Sequence, residues 1–242
     1  MAHQTVSRSE WLEARKAHLE AEKAFTRQRD VLLEARRALP WVKVEENYVF
    51  EGPQGPVTLA DLFDGRGQLM IQHFMFGPDW EEGCPSCSLM ADHIDGARPH
   101  LAQAGLSFAA VARAPIARIE AFRRRLGWGF PWVSSLANDF NFDFNVSFKP
   151  EALDRGEAVY NYRTAQGDME ERQGVSVFCR DETGGIFHSY STYARGVESF
   201  IGAFNLLDMV PKGRNEKTIM DWVRHHDRYE DQNFAAQPSA AE

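Results

Sequence analysis

The hydrophobic positions change period along the chain, and each change marks an element. From Ser7 to Pro40, less polar residues recur at alternate intervals of three and four: Trp11, Ala14, His18, Ala21, Phe25, Gln28, Leu32, Ala35 and Leu39. That is the face of a helix. Ser7 and Glu10 make a Ser-x-x-Glu capping box and Pro40 stops the run, so residues 8–38 read as one long helix. With His18, Gln28 and the alanines it makes a poor coiled-coil seam. It suits an arm packed on its own domain, with a homodimer contact through this helix as the alternative. Gly52, Pro53, Gly55 and Pro56 mark turns, and Thr58 can cap a short helix through Leu62 and Phe63.

From Leu69 to Phe76 (LMIQHFMF) the chain is almost continuously apolar, as expected of a strand buried on both faces. A helix follows from about Pro85 to Gln103, with Met90, Ile94, Ala97 and Leu101 on one face. Leu106–Ala112 (LSFAAVA) is a second buried strand. Ile116, Ile119, Phe122 and Leu126 then face inward on another helix, and Trp132–Ser134 is a short strand. Residues 137–173 alternate aromatics with Asn or Asp and fit no period, which reads as a long insertion. Val175–Arg180 and Ile186–Ser191, joined by a DETGG turn, are a hairpin. Ala194–Leu207 and Lys217–Asp231 read as helices, with a frayed tail from Gln237.

The fold class expected is therefore α/β, a mixed sheet flanked by helices. Its divisions are an N-terminal helical arm (1–42), a main domain (43–212, insertion about 137–173) and a C-terminal helix and tail (213–242).

Charge narrows the partners. Lys and Arg number 27 against 35 Asp and Glu, a net charge of −8, which argues against nucleic acid or an anionic membrane surface. There is no apolar leader segment at the start and no stretch of ~18 uncharged apolar residues, so a cytoplasmic protein is expected. Three cysteines are too few for a secreted disulfide scaffold.

Two of those cysteines, Cys84 and Cys87, sit in CPSC, where the first buried strand hands over to its helix. Open α/β sheets place their sites at such strand ends. Unsatisfied N–H groups at a helix start stabilise a thiolate. Pro85 is tolerated in the first turn, and Cys87 lies one turn on, close enough for a disulfide. Cys84 would attack a disulfide and Cys87 would release the mixed intermediate. Trp80, Gly83, Pro85 and Ser86 flank the pair, and His188 on the hairpin is a candidate to face it. The alternatives are a metal site or a plain structural role. Zinc needs about four ligands. His93 could be a third, but no fourth is evident, so neither metal nor cofactor is expected. Cys179 reads as a small buried hydrophobe and His73 as a satisfied core histidine.

The acidic residues Asp79, Glu81, Glu82, Asp92 and Asp95 surround the motif without a basic residue before Arg98. They oppose the helix N-terminus, so a Cys84 pKa of ~7–8 is expected. A reducing potential nearer the ~−270 mV of thioredoxin than the ~−120 mV extreme goes with it.

FMFGPDW, GCPSCS, DFNFDFNVSF, VFCRD, FHSYSTYARG, P-x-GRNE and WVRHHDRY together resemble a bacterial thioredoxin-like family. It is known as domain of unknown function 899, and its members are identified as predicted dithiol–disulfide oxidoreductases. The resemblance runs from about Trp11 to Tyr229. It implies a thioredoxin-like fold, a thiol or disulfide substrate and an electron donor that the residues do not name. Thioredoxins carry tryptophan before the first cysteine, where this chain has Gly83. They carry a cis-proline before the first hairpin strand, where this chain has Arg172-Gln173-Gly174-Val175. That comparison adds Gly174 and Val175 to the residues flanking the site. Peroxiredoxins carry Thr or Ser three residues before the peroxidatic cysteine, where this chain has Glu81 before Cys84. The functions expected are thus a thiol–disulfide oxidoreductase or, alternatively, a non-catalytic redox-sensing or binding protein, or a thiol peroxidase.

Overall fold

The computed structural model describes residues 4–165 and 167–230. It divides into two compact units, Met1–Trp41 and Val42–Glu242. The first is built on helix α1, Arg8–Arg37. Its capping box forms as expected, with the Glu10 N–H donating to Ser7 Oγ (3.3 Å) and the Ser7 N–H donating to Glu10 Oε2 (2.9 Å). No residue of α1 is buried, and Trp11, Phe25 and Leu32 are exposed.

The second unit is organised by an eight-stranded mixed sheet. Its strands are β1 (Val42–Lys43), β2 (Val49–Gly52), β3 (Gly55–Thr58), β4 (Gln68–His73), β5 (Leu106–Ala112), β6 (Trp132–Ser134), β9 (Gly174–Arg180) and β10 (Ile186–Tyr193). A separate two-stranded ribbon pairs β7 (Val159–Tyr160) with β8 (Arg163–Thr164). The strand order of the large sheet is β1-β10-β9-β4-β5-β6-β2-β3. β4, β5 and β6 run parallel, while β9 is antiparallel to β4 and β10 to β9. Helices α2 (Pro85–Gln103) and α3 (Ile116–Arg125) connect the parallel strands. Parallel strands joined by helices and closed by an antiparallel hairpin beside the first of them make a thioredoxin-like fold.

Alternation along β4 and β5 divides the core in two. Leu69, Ile71, Ala109 and Val111 face one cluster with Tyr48, Phe50, Phe63, Phe140 and Phe178. Phe108, Ala110 and Ala112 face the other, with Cys87, Met90, Ile94, Phe122 and Trp132. β4 ends at His73, three residues before the expected Phe76. The Phe74 N–H makes one more bond to Val111 O (2.9 Å), and Phe74 and Phe76 then turn into the α2-side cluster.

The insertion 137–173 is packed rather than loose. It holds α4 (Phe140–Asp143), α5 (Pro150–Asp154) and the β7–β8 ribbon, and buries Phe140, Asn141 and Val146. Two expected helices differ. Ala194–Phe200 is a 3₁₀ helix, extended Ile201 (φ −100°, ψ 91°) interrupts it, and α6 (Gly202–Leu207) follows. The C-terminal helix expected from Lys217 does not form up to residue 230. The Asp221 carboxylate accepts the N–H groups of Lys217 (3.0 Å) and Thr218 (3.2 Å), and Met220 takes φ +60°. Val223 and His225 are then drawn into the core, leaving one 3₁₀ turn at His226–Arg228. Asp231 and the tail from Gln237 lie outside the described residues. Among those described, no helix is long and apolar enough to cross a membrane.

Candidate functional site

The CPSC segment is held from three sides. Cys84 is the N-cap of α2, with Pro85 at its first position. The Cys84 N–H donates to Met75 O (3.0 Å), and the Ser88 N–H and hydroxyl both donate to Cys84 O (3.0 Å each). From β4, Gln72 Nε2 reaches Cys87 O at 2.9 Å. Cys84 is partly exposed and Cys87 is buried, and both are free thiols.

This asymmetry sets their chemistry. The Cys87 thiol acts most strongly on the Cys84 thiolate, and the N–H groups of Cys87 and Ser86 and the Ser86 hydroxyl act in the same direction. Against the cost of burial they draw the Cys84 pKa down to about 6. The same interaction, then burial, pushes Cys87 well up, with the Met75 backbone opposing. One thiol is thereby activated and the other kept as its proton-bearing neighbour.

The value lies below the expected ~7–8 chiefly because of the Cys87 thiol, and three of the five nearby acids have partners of their own. Burial works to raise the Glu82 carboxyl, but hydrogen bonds from Arg228 and Arg125 hold it below the usual range. Arg125 approaches it at 2.5 Å. Asp92 accepts from Trp128 Nε1 (2.6 Å) and pairs with His226 (2.8 Å). Asp95 accepts from the backbone of Gly129 and Phe130 and pairs with Arg98.

Trp80 packs against the same cluster as Cys87. Its carbonyl, with that of Pro78, is held by Arg118 (2.5 and 2.9 Å). Gly83 has a steric cause. A Cβ there would come within 2.6 Å of the Phe74 ring and 3.0 Å of Phe122, so the tryptophan that thioredoxins carry at this position has no room. Gly174 and Val175 open β9 opposite His73 and Gln72. Val175 is buried in the cluster that holds Cys87, and Gly174 lies flush against Tyr193.

His188 is a correction. Register places it opposite Phe178, and its ring packs on Phe144 and Phe178, away from the cluster that holds Cys87. It ends a chain of 2.7 Å contacts, His188 Nε2–Ser191 Oγ–Ser176 Oγ–His73 Nε2, reaching from a cleft of about 300 Å³ that Tyr48 and Asp143 also line. His73 is buried as expected, and burial lowers its pKa to about 3, but its Nδ1 has no hydrogen-bond partner among the described residues. Cys179 is partly exposed rather than fully buried, its Sγ 3.9 Å from Phe187 O.

His93 uses both ring nitrogens, Nδ1 toward Leu89 O (2.7 Å) and Nε2 accepting the Ala203 N–H (2.9 Å), which leaves none for a metal. Among the described residues no three His, Cys, Asp or Glu side chains gather as a metal site requires.

Two neighbours of the site were not assigned to it from the sequence. Tyr160 of the β7–β8 ribbon donates to Gln173 O (2.8 Å) and accepts the Ala194 N–H (3.0 Å). Burial pushes its phenol up, with the Ala194 N–H opposing. It stands in an unpatterned insertion, where one tyrosine carries no signal. His225 lies 2.8 Å from Gly83 O. It belongs to a run expected to be helical.

Fold and site define a thioredoxin-like protein with a Cys-x-x-Cys dithiol at the head of a helix. The chain belongs to the family of bacterial proteins of unknown function DUF899, whose model matches residues 1–229. A comparison with curated proteins found no match. Among solved structures, peroxidoxin BcpB from Mycobacterium tuberculosis is 12% identical, with 69% of this chain and 98% of that one covered and a TM-score of 0.44. PrxQ from Xylella fastidiosa is 13% identical (69% and 94% covered, TM-score 0.45). Peroxiredoxin Q from Xanthomonas campestris is 15% identical (68% and 97%, TM-score 0.45).

Proposed function

We propose that the protein is a thiol–disulfide oxidoreductase. The observation that carries this is the unequal placement of the pair, a partly exposed Cys84 at the N-cap of α2 and a buried Cys87 one turn on; with it the Cys84 pKa is drawn down and that of Cys87 pushed up.

The Cys84 thiolate attacks one sulfur of a substrate disulfide. A new S–S bond forms to Cys84, the substrate S–S bond breaks, and the leaving sulfur departs as thiolate and takes up a proton. Cys87 loses its proton and attacks Cys84 Sγ, which closes the Cys84–Cys87 disulfide and frees the second substrate thiol. The substrate gains two electrons and the dithiol loses two. An external thiol donor restores the dithiol by the reverse exchange. Pro85 and Ser86 shape the turn across which the sulfurs meet, and Trp80, Gly83, Gly174 and Val175 form the surrounding wall.

The test is insulin reduction driven by a small dithiol. Turnover lost in Cys84→Ser, with hydrogen peroxide consumed no faster than by free thiol, supports this reading. Slow stoichiometric oxidation without turnover favours a redox sensor, and rapid peroxide turnover favours a thiol peroxidase; either outcome overturns it.

A further inference from the structure

The WVRHHDRY segment has no part in the exchange chemistry, yet its His225 touches the residue before the attacking cysteine. We propose that His225 is a positioning residue, which clamps the Gly83–Cys84 peptide and thereby aims Cys84 Sγ at the N–H groups that stabilise its thiolate. The proposal rests on the redox reading of Cys84.

His225 is buried, and each of its ring nitrogens has a partner: Nε2 lies 2.8 Å from Gly83 O and Nδ1 2.9 Å from Arg125 Nη2. A carbonyl only accepts and a guanidinium only donates, so Nε2 carries the proton and Nδ1 the lone pair. The ring also stands edge-to-face on Phe122, with centroids 5.1 Å apart. Phe122 is one of the two rings against which Gly83 lies flush.

The Gly83–Cys84 peptide is therefore held at both polar ends, its C=O by His225 and its N–H by Met75 O (3.0 Å). With that plane fixed on one side and Cys84 O held by the Ser88 N–H on the other (3.0 Å), the backbone at Cys84, and with it the Cα–Cβ bond, is held in place. Sγ is thereby kept toward the Ser86 and Cys87 N–H groups, which lower its pKa. A bare glycine carbonyl, with no side chain of its own to pin the loop, is where such a clamp has most to do. Arg125 in turn is anchored by Glu82 and by Asp227 (2.9 Å). The segment after Met220 is thus strapped onto the dithiol loop by the charges that neutralise Glu82.

Two substitutions separate the contacts. In His225→Asn the amide oxygen stands near the place of Nδ1 and keeps an acceptor for Arg125, but nothing reaches Gly83. In His225→Gln the amide nitrogen extends to the place of Nε2 and keeps the donor to Gly83. His225→Phe keeps the ring on Phe122 and removes both bonds, and it serves if the asparagine variant fails to fold. The readout is the pH midpoint of iodoacetamide alkylation at Cys84 in the full chain, followed by mass spectrometry without any substrate. His225→Asn and His225→Phe should raise the midpoint by about one pH unit, roughly a fivefold loss of thiolate at pH 6. His225→Gln should recover most of that shift. A folded asparagine or phenylalanine variant with the wild-type midpoint overturns the clamp. So does a glutamine variant shifted as far as asparagine. Because no substrate is present, this result can fail while insulin turnover holds, and the converse is equally possible.

Discussion

Replacing Cys87 with alanine tests how the Cys84 thiolate is held. The wild-type pKa is drawn to about 6, against ~8.5 for an unperturbed thiol. At ~1.36 kcal/mol per unit the gap is worth about 3 kcal/mol. A helix N-terminus supplies ~0.3–1 kcal/mol, and at most about 2 in partly buried sites. The remaining ~1–2 kcal/mol falls on the Cys87 thiol, the largest single cause of the shift. It matches the lower part of the ~1.5–3 kcal/mol range for hydrogen bonds to charged groups. Alanine removes that donor and leaves the residue 87 N–H in place, so the Cys84 midpoint should rise by about one unit, to near 7. The assay is the rate of iodoacetamide alkylation at Cys84 against pH, with circular dichroism to confirm the fold. A variant midpoint still near 6 would refute the role of the thiol and leave the backbone alone as the cause. A wild-type midpoint above about 8 would refute the activation altogether.

Gly83→Ala should destabilise by about 1–3 kcal/mol, because its Cβ would meet the Phe74 ring at 2.6 Å; an unchanged melting temperature in calorimetry would contradict the packing described. Arg113 pairs with the buried Glu171 at 3.0 Å, and burial raises the Glu171 carboxyl. Arg113→Met leaves that carboxylate uncompensated, at a cost of about 3–5 kcal/mol. Glu171 becomes neutral as pH falls, so the deficit in urea unfolding should be largest near pH 8 and shrink toward pH 5; a deficit independent of pH contradicts this. The folded Cys84 pKa lies below its unfolded value, so its contribution is present above the unfolded pKa and lost as pH falls through about 6. Reduced wild type should therefore gain stability over Cys84→Ser between pH 6 and about 8.5, and parallel curves would refute the linkage. His188→Gln should leave the Cys84 alkylation midpoint unmoved, since His188 packs away from the cluster that holds Cys87; a shift of a full unit would contradict that placement.

The centre of the fold was legible because its signals are local and long. β4 and β5 lie in almost continuously apolar runs, α2 follows the first of them, and the capping box of α1 lies within four residues. The insertion was not legible for the opposite reason. α4, α5, β7 and β8 are two to five residues each, too short for any period to repeat. The C-terminal stretch shows helical spacing, but Asp221 caps the turn and the core takes Val223 and His225, so tertiary contacts outweigh propensity. At the site, the cysteines and their flanking residues were readable as a motif. The charge balance around them was not, because Arg125 and Arg228 reach Glu82 from 43 and 146 residues away. His188 was misassigned for a related reason: alternation along β10 is interrupted by a bulge between His188 and Tyr190, and only pairing with β9 decides its face.

The claim that Cys84 attacks and Cys87 resolves is tested most directly by trapping the intermediate. Cys87→Ser lacks the thiol that would release a mixed disulfide, and Cys84→Ser lacks the one that would form it. Both variants, incubated with glutathione disulfide and digested for peptide mass mapping, give distinct expectations. The account predicts one glutathione adduct per chain on Cys84 in Cys87→Ser, and none on Cys87 in Cys84→Ser under the same conditions. An adduct on Cys87 or Cys179 in place of Cys84, or equal labelling of the two variants, would contradict it.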